Sequence, residues 1–457
     1  MKEYDLIIVG GGSGLDVAEF ALRHGLKVAV VHVPPIGGTC QNFGCIPSKM
    51  LVFPADRIME ITEAKKLGLD VTVQYVDFPA IMERMRNMRT KEQEHELKGI
   101  HQVKNFTYYL GEGHFVEDYF IEVNGEKIGG KKFVLCTGAR PLIPPIRGID
   151  TVDFLTNESV LDLKEKPESI IIIGGGYIAA EYGHFFAAMG TNVTILHRQE
   201  RLIPVEEPEI SELLKQEMEK RMSIHTNIEV IEVKKQNDIY IVIGKDVRNG
   251  EKKQFSSKTI FVAAGRKSNA DLLKVEKTGV EVDSRGFIKV NEYLETSKKN
   301  IWAFGDAIGK YMFKHVANRE ANLVGHNIIH GHKGKMEYSA IPYAVFSHPQ
   351  IASVGLTEEQ AKKKYDVLVG KAMYSSVAMG IAMMEQNGFA KVILERKSGR
   401  ILGFHIIGSY ATILIQEVIN AMVSGSGTPE PVFQGLHIHP ALSELIQRTF
   451  HNVQEVK

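Results

Sequence analysis

The sequence has few cysteines, few aromatic residues and no excess of charge of either sign. Three cysteines and one tryptophan occur in 457 residues, and 55 Lys and Arg balance 55 Asp and Glu. Without a net positive charge, the chain lacks a global field that would attract nucleic acid or an anionic membrane. So few cysteines exclude a secreted disulfide scaffold, and we expect a reducing cytoplasm.

Long hydrophobic runs are also lacking. No segment approaches the ~18 uncharged apolar residues that a membrane span requires. The most apolar late stretch, residues 401–416, is interrupted by Gly403, His405 and Gly408. Residues 1–5 lack the features of a signal or transit peptide and are expected to enter a strand. At 44% hydrophobic and 24% charged residues, the chain is predicted to form about three globular domains.

Glycine is plentiful, at 42 residues, and one cluster lies near the N-terminus. Residues 6–9 are predicted to form a buried strand, and Gly10, Gly12 and Gly14 a turn before a helix over 17–24. Glycines in such a turn let the backbone approach a pyrophosphate at a helix N-terminus. The sequence therefore predicts a dinucleotide-binding unit, with a merely tight turn as the alternative.

A second unit of the same kind begins near residue 170. Residues 170–173 read as a strand, Gly174-x-Gly176-x-x-Ala179 as a turn leading into a helix, and residues 193–196 as the next strand. Two such units about 160 residues apart predict an α/β protein with two Rossmann-like domains.

Both units depart from the usual fingerprint. In the first, Leu15 stands at the third glycine position, and His32 stands where an acidic residue usually bonds a ribose. In the second, the strand ends in His197 and Arg198, with no carboxylate for a 2′-hydroxyl. Arg198 would instead pair with the 2′-phosphate of NADPH, unless it is only a solvated residue at the end of a strand.

Cys40 and Cys45 are separated by four residues. They can form a disulfide if the chain bends into a helix there, and Gly44 and Pro47 fit that bend and helix start. A helix N-terminus lowers the pKa of a thiol, as thiol–disulfide exchange requires. A zinc site would need further ligands, and Cys136 lies in an apolar strand, so we expect it to be buried and inert and predict no metal site.

Residues 37–49, which contain both cysteines, resemble the redox-disulfide signature of the FAD-dependent class I pyridine nucleotide-disulfide oxidoreductases. That family includes glutathione, mycothione and mercuric reductases and dihydrolipoamide dehydrogenase. Four further segments resemble family motifs in the same order, so that the resemblance covers essentially the whole chain. They are residues 136–141, 174–181, 296–306 and 437–444.

The resemblance implies a disulfide-exchange mechanism. Cys45 would face the flavin and take up its electrons, while Cys40 would exchange with the substrate sulfur. His439 would be the acid and base for the leaving thiolate, with Glu444 holding its imidazole in the useful tautomer.

The resemblance also implies the cofactor contacts. Lys49 and Glu181 would form an ion pair beside the flavin, Tyr177 would cover the nicotinamide pocket, and Asp306 would bond the ribityl chain. The further expected cofactor contacts are Gly10, Gly12, Gly14, Thr39, Thr137, Gly138, Gly174, Gly176, Arg198, Gly265 and Gly305.

Changes of pattern mark the expected domain boundaries. Residues 141–145 and 263–266 are predicted to be the crossings into and out of the second domain, and antiparallel-looking strands begin near residue 338. We predict an FAD-binding domain over 1–146 and 266–335, an NAD(P)H-binding domain over 147–265 and an α+β dimerisation domain over 336–457. Since the cysteines open the chain and His439 closes it, the resemblance implies a homodimer with shared active sites.

Cysteines and arginines that some members of this family need are absent here, which limits the possible substrates. No cysteine follows Cys136, which excludes mercuric and large thioredoxin reductases because they need an additional C-terminal pair. Residues 16–20 offer no arginine for glutathione. We therefore expect FAD-dependent reduction of a low-molecular-weight disulfide by NADPH, or by NADH, with mycothione reductases as the nearest type. The alternatives are an NAD-linked dihydrolipoamide dehydrogenase and, in another class, a flavin-binding redox sensor or complex partner.

Overall fold

The computed structural model describes residues 2–100, 103–331 and 334–455. Over these residues the strands are β1 (Lys2–Val9), β2 (Val28–His32), β3 (Phe106–Leu110), β4 (Gly113–Glu117), β5 (Phe120–Val123), β6 (Glu126–Leu135), β7 (Ala139–Pro141), β8 (Ser169–Ile173), β9 (Asn192–Leu196), β10 (Ser223–His225), β11 (Ile228–Gln236), β12 (Ile239–Asp246), β13 (Lys252–Ser257), β14 (Thr259–Val262), β15 (Arg266–Ser268), β16 (Ile301–Ala303), β17 (Pro342–Val345), β18 (Gln350–Gly355), β19 (Val367–Met373), β20 (Phe389–Glu395), β21 (Ile401–Gly408) and β22 (Val453–Glu455). The helices are α1 (Gly14–Arg23), α2 (Gly38–Asn42), α3 (Cys45–Glu63), α4 (Phe78–Ile100), α5 (Tyr177–Ala188), α6 (Pro208–Glu219), α7 (Ala270–Leu273), α8 (Lys314–His330), α9 (Glu358–Lys362), α10 (Ala378–Ala382), α11 (Ala411–Val423), α12 (Glu430–Gln434) and α13 (Glu444–His451).

Contacts between Cα atoms divide the chain into two compact units. The first comprises Met1–Ser48, Glu83–Leu142 and Gly265–Glu337, and the second comprises Lys49–Met82, Ile143–Ala264 and Tyr338–Lys457. Three of the breaks fall within four residues of an expected domain boundary, while the bounds of the three domains stay a prediction. Residues 49–82 cluster with the second unit although the sequence places them in the FAD-binding domain.

The first unit contains a mostly parallel sheet in the order β3-β2-β1-β6-β5-β4, with β16 also paired to β6. Strands β3, β2, β1, β6 and β16 are parallel, and β5 and β4 continue the sheet as an antiparallel edge. Leu6, Ile7 and Ile8 of β1 are fully buried, as expected for a strand covered on both faces. The unit closes where β7 pairs with β15 and Leu142 N donates to Gly265 O at 2.9 Å.

Two glycines of the first turn are required by close packing. Gly10 has φ +125°, and a Cβ there would lie 2.1 Å from the Cys136 carbonyl oxygen. Gly14 begins α1, and its Cβ would lie 2.6 Å from Cys136 Sγ. Gly14 therefore provides the close approach of helix to strand that the third glycine of the fingerprint usually provides, so Leu15 does not weaken the motif.

The second unit contains the other Rossmann-like sheet, which is wholly parallel in the order β10-β9-β8-β14. Gly174 repeats the geometry of the first turn, with φ +135° and a Cβ position 2.2 Å from Ala263 O. Helix α5 follows this turn and is buried over residues 179–186. An antiparallel sheet of β11, β12 and β13 belongs to the same unit.

The C-terminal part forms a six-stranded antiparallel sheet in the order β17-β18-β21-β20-β19-β22. Strand β21 is buried at every position, and α11 and α13 supply Ile415, Val418, Leu445 and Phe450 to the same core. The structure thus confirms the predicted α/β class, with two Rossmann-like domains and a C-terminal α+β domain. Among the helices described, none has the length and apolar character needed to cross a membrane.

We expect Gly14→Ala to lower the midpoint of thermal unfolding, because the new methyl group would meet Cys136 Sγ at 2.6 Å and Ile8 Cγ2 at 2.9 Å. Overpacking of this kind costs about 1–3 kcal/mol. Gly176→Ala is the matched control, since a Cβ there meets nothing within 4 Å among the described residues. Adding Cys136→Ala should restore part of the lost stability, and equal midpoints for the two single variants would contradict this packing role.

Candidate active site

The two cysteines lie on either side of a sharp bend between α2 and α3. Cys40 is half-buried within α2, and Cys45 is exposed as the first residue of α3. Phe43 N donates to Thr39 O at 2.8 Å, and a Cβ on Gly44 would lie 3.3 Å from Cys40 Cα. The predicted bend is therefore present, while the disulfide itself stays a prediction.

Asn42 fixes this bend, although the sequence analysis did not single it out. Its side chain is fully buried, and Nδ2 donates to Ile36 O at 2.6 Å and to Gly38 O at 3.0 Å. Its Oδ1 accepts from Gln93 Nε2 of α4 at 2.5 Å. One buried amide thus joins the cysteine segment to the loop before it and to a distant helix.

Lys49 and Glu181 form the predicted ion pair, with Lys49 Nζ 2.6 Å from Glu181 Oε2. The Glu181 side chain is 6% exposed, and its Oε1 accepts from the Phe346 backbone N–H at 3.0 Å. Lys49 Nζ also lies 4.3 Å from the centre of the Phe346 ring, a cation–π distance. Phe346, just beyond β17, is a site residue that the sequence did not reveal.

Asp56 and His184 repeat this pairing two turns further along α3. His184 is fully buried, with Nε2 2.9 Å from Asp56 Oδ1 and Nδ1 2.8 Å from Arg221 Nη1. Because arginine can only donate, Nδ1 accepts and the proton lies on Nε2, which donates to Asp56. Burial lowers the pKa of His184 to about 4, although Asp56 opposes the shift, so the imidazole is neutral at pH 7.

Glu63 and His348 form a third pair, with Oε1 and Nε2 2.6 Å apart. This hydrogen bond outweighs partial burial and lowers the pKa of Glu63 to about 2. Arg221 Nη2 donates to His348 O at 2.5 Å and so links this pair to the one before it. Since seven residues are about two helical turns, the three pairs share one face of α3. We call this set the α3 ladder: Lys49–Glu181, Asp56–His184 and Glu63–His348.

His439 and Glu444 are also paired, with His439 Nδ1 2.9 Å from Glu444 Oε1. Glu444 begins α13, and its Oε2 accepts from Ala441 N at 3.3 Å. The hydrogen bond from His439 is the main cause that lowers the pKa of Glu444, so the carboxylate is ionised and Nδ1 is the donor. The His439 side chain is 72% exposed, which leaves the Nε2 edge accessible.

The second glycine turn joins β8 to α5, while the cofactor contacts expected there stay a prediction. Gly176 precedes α5 and Tyr177 is its first residue, 36% exposed. Arg198 is exposed directly after β9. His197 packs against the turn, since a Cβ on Gly175 would lie 2.3 Å from His197 Cγ, and burial lowers the pKa of this histidine.

His32 has a structural task in the first turn. Its Nδ1 accepts from Gly11 N at 3.0 Å, and its Nε2 donates to Pro35 O at 3.0 Å. Burial lowers the pKa of His32, which agrees with a neutral ring that donates once and accepts once. Both ring nitrogens hold the glycine turn in shape, so His32 does not replace the acidic residue that usually bonds a ribose.

Known families match nearly the whole chain. Residues 4–321 match the family described as pyridine nucleotide-disulphide oxidoreductase, and residues 341–450 match the dimerisation domain of that family. The chain belongs to the pyridine nucleotide-disulphide oxidoreductases.

Several members of the family are similar along their length. A mercuric reductase of Staphylococcus aureus is 34% identical over 93% of this chain and 78% of its own, and a mycothione reductase of Mycobacterium tuberculosis is 34% identical over 98% of both. A dihydrolipoyl dehydrogenase of Synechocystis is 32% identical over 98% of both chains. Among solved structures, the Cu(II) complex of the HOCl-induced flavoprotein disulfide reductase RclA from Escherichia coli has a TM-score of 0.88 and 26% identity, covering 99% of both chains.

Membership confirms the predicted enzyme class. The protein is a flavin-dependent disulfide oxidoreductase of a family that uses FAD and takes electrons from NAD(P)H. The matched dimerisation domain indicates a homodimer.

The first unit fits FAD. The Gly10 turn leaves no room for a side chain, and the Thr137 hydroxyl is buried with no hydrogen-bond partner among the described residues. Burial raises the pKa of Asp306, and Arg266, with Nε 3.6 Å away, opposes that shift. These are the polar groups that a ribityl and pyrophosphate chain requires as partners. Gly12, Gly138 and Gly305 lie in the turns around them.

We expect His184→Gln to remove an acid-dependent loss of stability. Below its ordinary pKa near 6.5, His184 binds a proton in the unfolded chain that it does not bind in the folded protein. The contribution of His184 to the free energy of unfolding is therefore complete above pH 6.5 and falls by about 3 kcal/mol as the pH drops to about 4. Glutamine can still donate to Asp56 and accept from Arg221 without titrating.

The measurement is the midpoint of thermal unfolding between pH 4 and 7.5. The unfolding midpoint should fall less steeply with decreasing pH in His184→Gln than in the wild type. His451 is exposed, so His451→Gln serves as the control. Parallel slopes for all three proteins would show that His184 titrates normally.

Proposed function

We propose that the protein uses NADPH to reduce a low-molecular-weight disulfide in the cytoplasm, with Cys40 and Cys45 as its redox pair. The observation that carries this proposal is the pairing of His439 with Glu444, which orients an exposed imidazole with Nδ1 as the donor. Such a group serves thiol–disulfide exchange, and the chain also has Cys45 at the start of α3 and Cys40 in α2 just before it.

FAD, when bound, supplies the transfer of electrons from the nicotinamide to the cysteine pair. The thiolate of Cys40 attacks one substrate sulfur, so that a Cys40–substrate disulfide forms and the substrate S–S bond breaks. The leaving thiolate takes the proton that His439 Nε2 accepted from the Cys40 thiol. The thiolate of Cys45 then attacks Cys40 Sγ, so that the Cys40–Cys45 disulfide forms and the Cys40–substrate bond breaks, and the second substrate thiolate takes a proton from solvent.

The α3 ladder supports this chemistry from the chain's own residues. Lys49 follows Cys45 by one helical turn, and its ammonium is held by Glu181, which is itself held by the Phe346 backbone. A cation fixed in this way can stabilise negative charge on a neighbouring group without reorganising. We assign that task to Lys49, and the cofactor contacts named from the sequence remain part of the proposal.

A second copy of the chain would complete the site. Leu436 and Ile438 beside His437 are 102% and 77% exposed, and Ile413 and Val423 of α11 are 69% and 61% exposed. Apolar side chains at this density on a surface indicate a protein interface. Because His439 adjoins Leu436 and Ile438 in the chain and is itself exposed, we propose that it acts on the cysteine pair of the partner subunit.

Arg198 supports NADPH over NADH, since it is exposed at the end of β9 and no carboxylate precedes it there. NAD-linked dihydrolipoyl dehydrogenase activity is the second candidate, on the strength of the relative that is 32% identical.

A panel of oxidants with either NADPH or NADH tests the function. We expect reduction of one of mycothione, glutathione disulfide and coenzyme A disulfide, with lipoamide reporting the second candidate. Cu(II) and Hg(II) are added because of the names of the similar proteins. Cys40→Ser and Cys45→Ser should each lower disulfide reduction by about 1,000-fold or more.

Cys136→Ser is the matched control and should keep its activity, because burial raises the pKa of that thiol to about 12. Electron transfer to ferricyanide should survive in all three variants and so show that the FAD and nucleotide sites are intact. Unimpaired disulfide reduction by Cys40→Ser would refute the proposal.

Mixed dimers test the shared site. Cys40→Ser and His439→Ala homodimers should each be severely impaired. After subunit exchange, a heterodimer carries both lesions in one site and neither in the other. Random equal pairing makes half of the dimers mixed, so about a quarter of all sites should recover. If exchange is verified by mass and no activity returns, His439 does not act across the interface.

A further inference from the structure

We propose that Glu206 is a positioning residue for NADPH: three strands of the C-terminal sheet hold it, and it fixes the nucleotide loop (residues 198–205) that carries Arg198 and Arg201. This inference rests on the proposed use of NADPH and deepens it, because it names what sets the preference for the 2′-phosphate.

The nucleotide loop begins at a fixed point. His197 N donates to His225 O at 2.9 Å, and His197 O accepts from Ile228 N at 2.8 Å. Asn227 N then donates to Gln199 O at 2.9 Å. These hydrogen bonds therefore fix the start of the loop to β10 and β11.

The far part of the loop folds back onto the second glycine turn. Ile203 N donates to Gly175 O at 2.8 Å, and Ile203 O accepts from Ser211 Oγ at 3.2 Å and from Glu206 N at 2.9 Å. Ile203 is 3% exposed and has φ +46°. A β-branched residue rarely adopts this left-handed conformation, which persists only where the surroundings impose it.

Glu206 supplies that constraint, because it is buried and both of its carboxylate oxygens are occupied. Oε1 lies 2.5 Å from His405 Nδ1 and accepts from Glu207 N at 2.8 Å. Oε2 accepts from Tyr343 Oη at 2.8 Å and from Ser353 Oγ. Tyr343, Ser353 and His405 lie on β17, β18 and β21, which are neighbours in the C-terminal sheet.

The pair of Glu206 with His405 is an ion pair. His405 Nε2 lies 3.0 Å from Leu356 O, so both ring nitrogens face acceptors and the ring is protonated. Burial opposes the charge on both partners, yet their attraction raises the pKa of His405 and lowers that of Glu206. A buried ion pair with every oxygen bonded cannot shift without leaving a charge unpaired.

A second carboxylate fastens the neighbouring helix rather than the loop. Glu207 Oε2 lies 2.8 Å from Lys391 Nζ, and Lys391 also pairs with Glu209 at 3.0 Å and Glu358 at 2.7 Å. Glu209 belongs to α6 and pairs with Lys371 and Lys391, so it offers a control within the same charged cluster that does not hold the loop.

The consequence for cofactor choice follows from what each nucleotide needs. Contact of an arginine with a 2′-phosphate depends on where the loop holds Arg198 and Arg201, whereas the glycine turn can bind the pyrophosphate of NADPH and NADH alike. Loosening the loop should therefore weaken NADPH binding selectively.

The test measures flavin reduction by each nucleotide in the stopped flow, without any disulfide substrate. We expect Glu206→Gln to raise the apparent Kd for NADPH about tenfold, to leave that for NADH within about twofold, and to leave the limiting rate unchanged. Glu209→Gln should match the wild type. Tyr343→Phe, which removes one hydrogen bond and no charge, should give a smaller change of the same kind if Glu206→Gln does not fold.

Arg198→Glu in parallel separates the two proposals. If it does not reduce the preference for NADPH, the proposed use of NADPH fails. If it does, and Glu206→Gln changes neither Kd or both equally, Glu206 is merely structural and this inference is wrong. In the Arg198→Glu background, Glu206→Gln should add little further loss for NADPH, since the contact that it positions is already gone.

Discussion

The positions of Cys45 and Lys49 depend on the register of helix α3. Helix α3 begins at Cys45 and carries Lys49 one turn later, and the α3 ladder joins one face of it to α5 and to residues 346–348. Hydrogen-bonded pairs are directional, and His184 is buried between an acceptor and a donor that each require one ring nitrogen. A slip of α3 by one residue would break all three pairs together and leave charged groups unpaired. The free-energy cost of such a slip would be smaller if the interface were apolar.

Buried pairs of polar side chains also fix the segment that follows the nucleotide loop. Glu206 with His405 and Glu207 with Lys391 are buried ion pairs that join the segment before α6 to the C-terminal sheet. Buried pairs contribute little net stability but disfavour other arrangements of the same elements. Both places thus use polar contacts where the position of a particular group matters, while the sheets around them are held by apolar cores such as that under β21.

The sequence predicted what is local, together with the ordered motifs by which the chain resembles a family. Glycine turns, strands and the Cys40–Cys45 bend are encoded within short stretches, so periodicity and spacing revealed them. Phe346 and Glu206 were missed because their partners lie far along the chain; Glu206 and His405 are 199 residues apart. Asn42 was missed because its local bonds to backbone carbonyls carry no sequence signal and its third partner, Gln93, lies on a distant helix. The seven-residue spacing of Lys49, Asp56 and Glu63 was a usable signal for the ladder. Leu15 misled because the fingerprint describes a spatial role, which Gly14 fills one position earlier.

The first proposal requires two copies of the chain for disulfide exchange. The second assigns the choice between NADPH and NADH to residues of a single chain. The nucleotide loop, the second glycine turn and the Glu206 anchor all belong to the same unit of a single chain, so the choice of nucleotide requires no partner subunit. The proposed exchange site, by contrast, would pair Cys40 with His439 of a second copy of the chain, and the His439 side chain is exposed. Substitutions at that surface would then alter disulfide reduction while leaving flavin reduction by NADPH intact. If electrons enter through one chain and leave through an interface, as proposed, the two half-reactions can change independently, which suits a family whose members have names that specify different substrates.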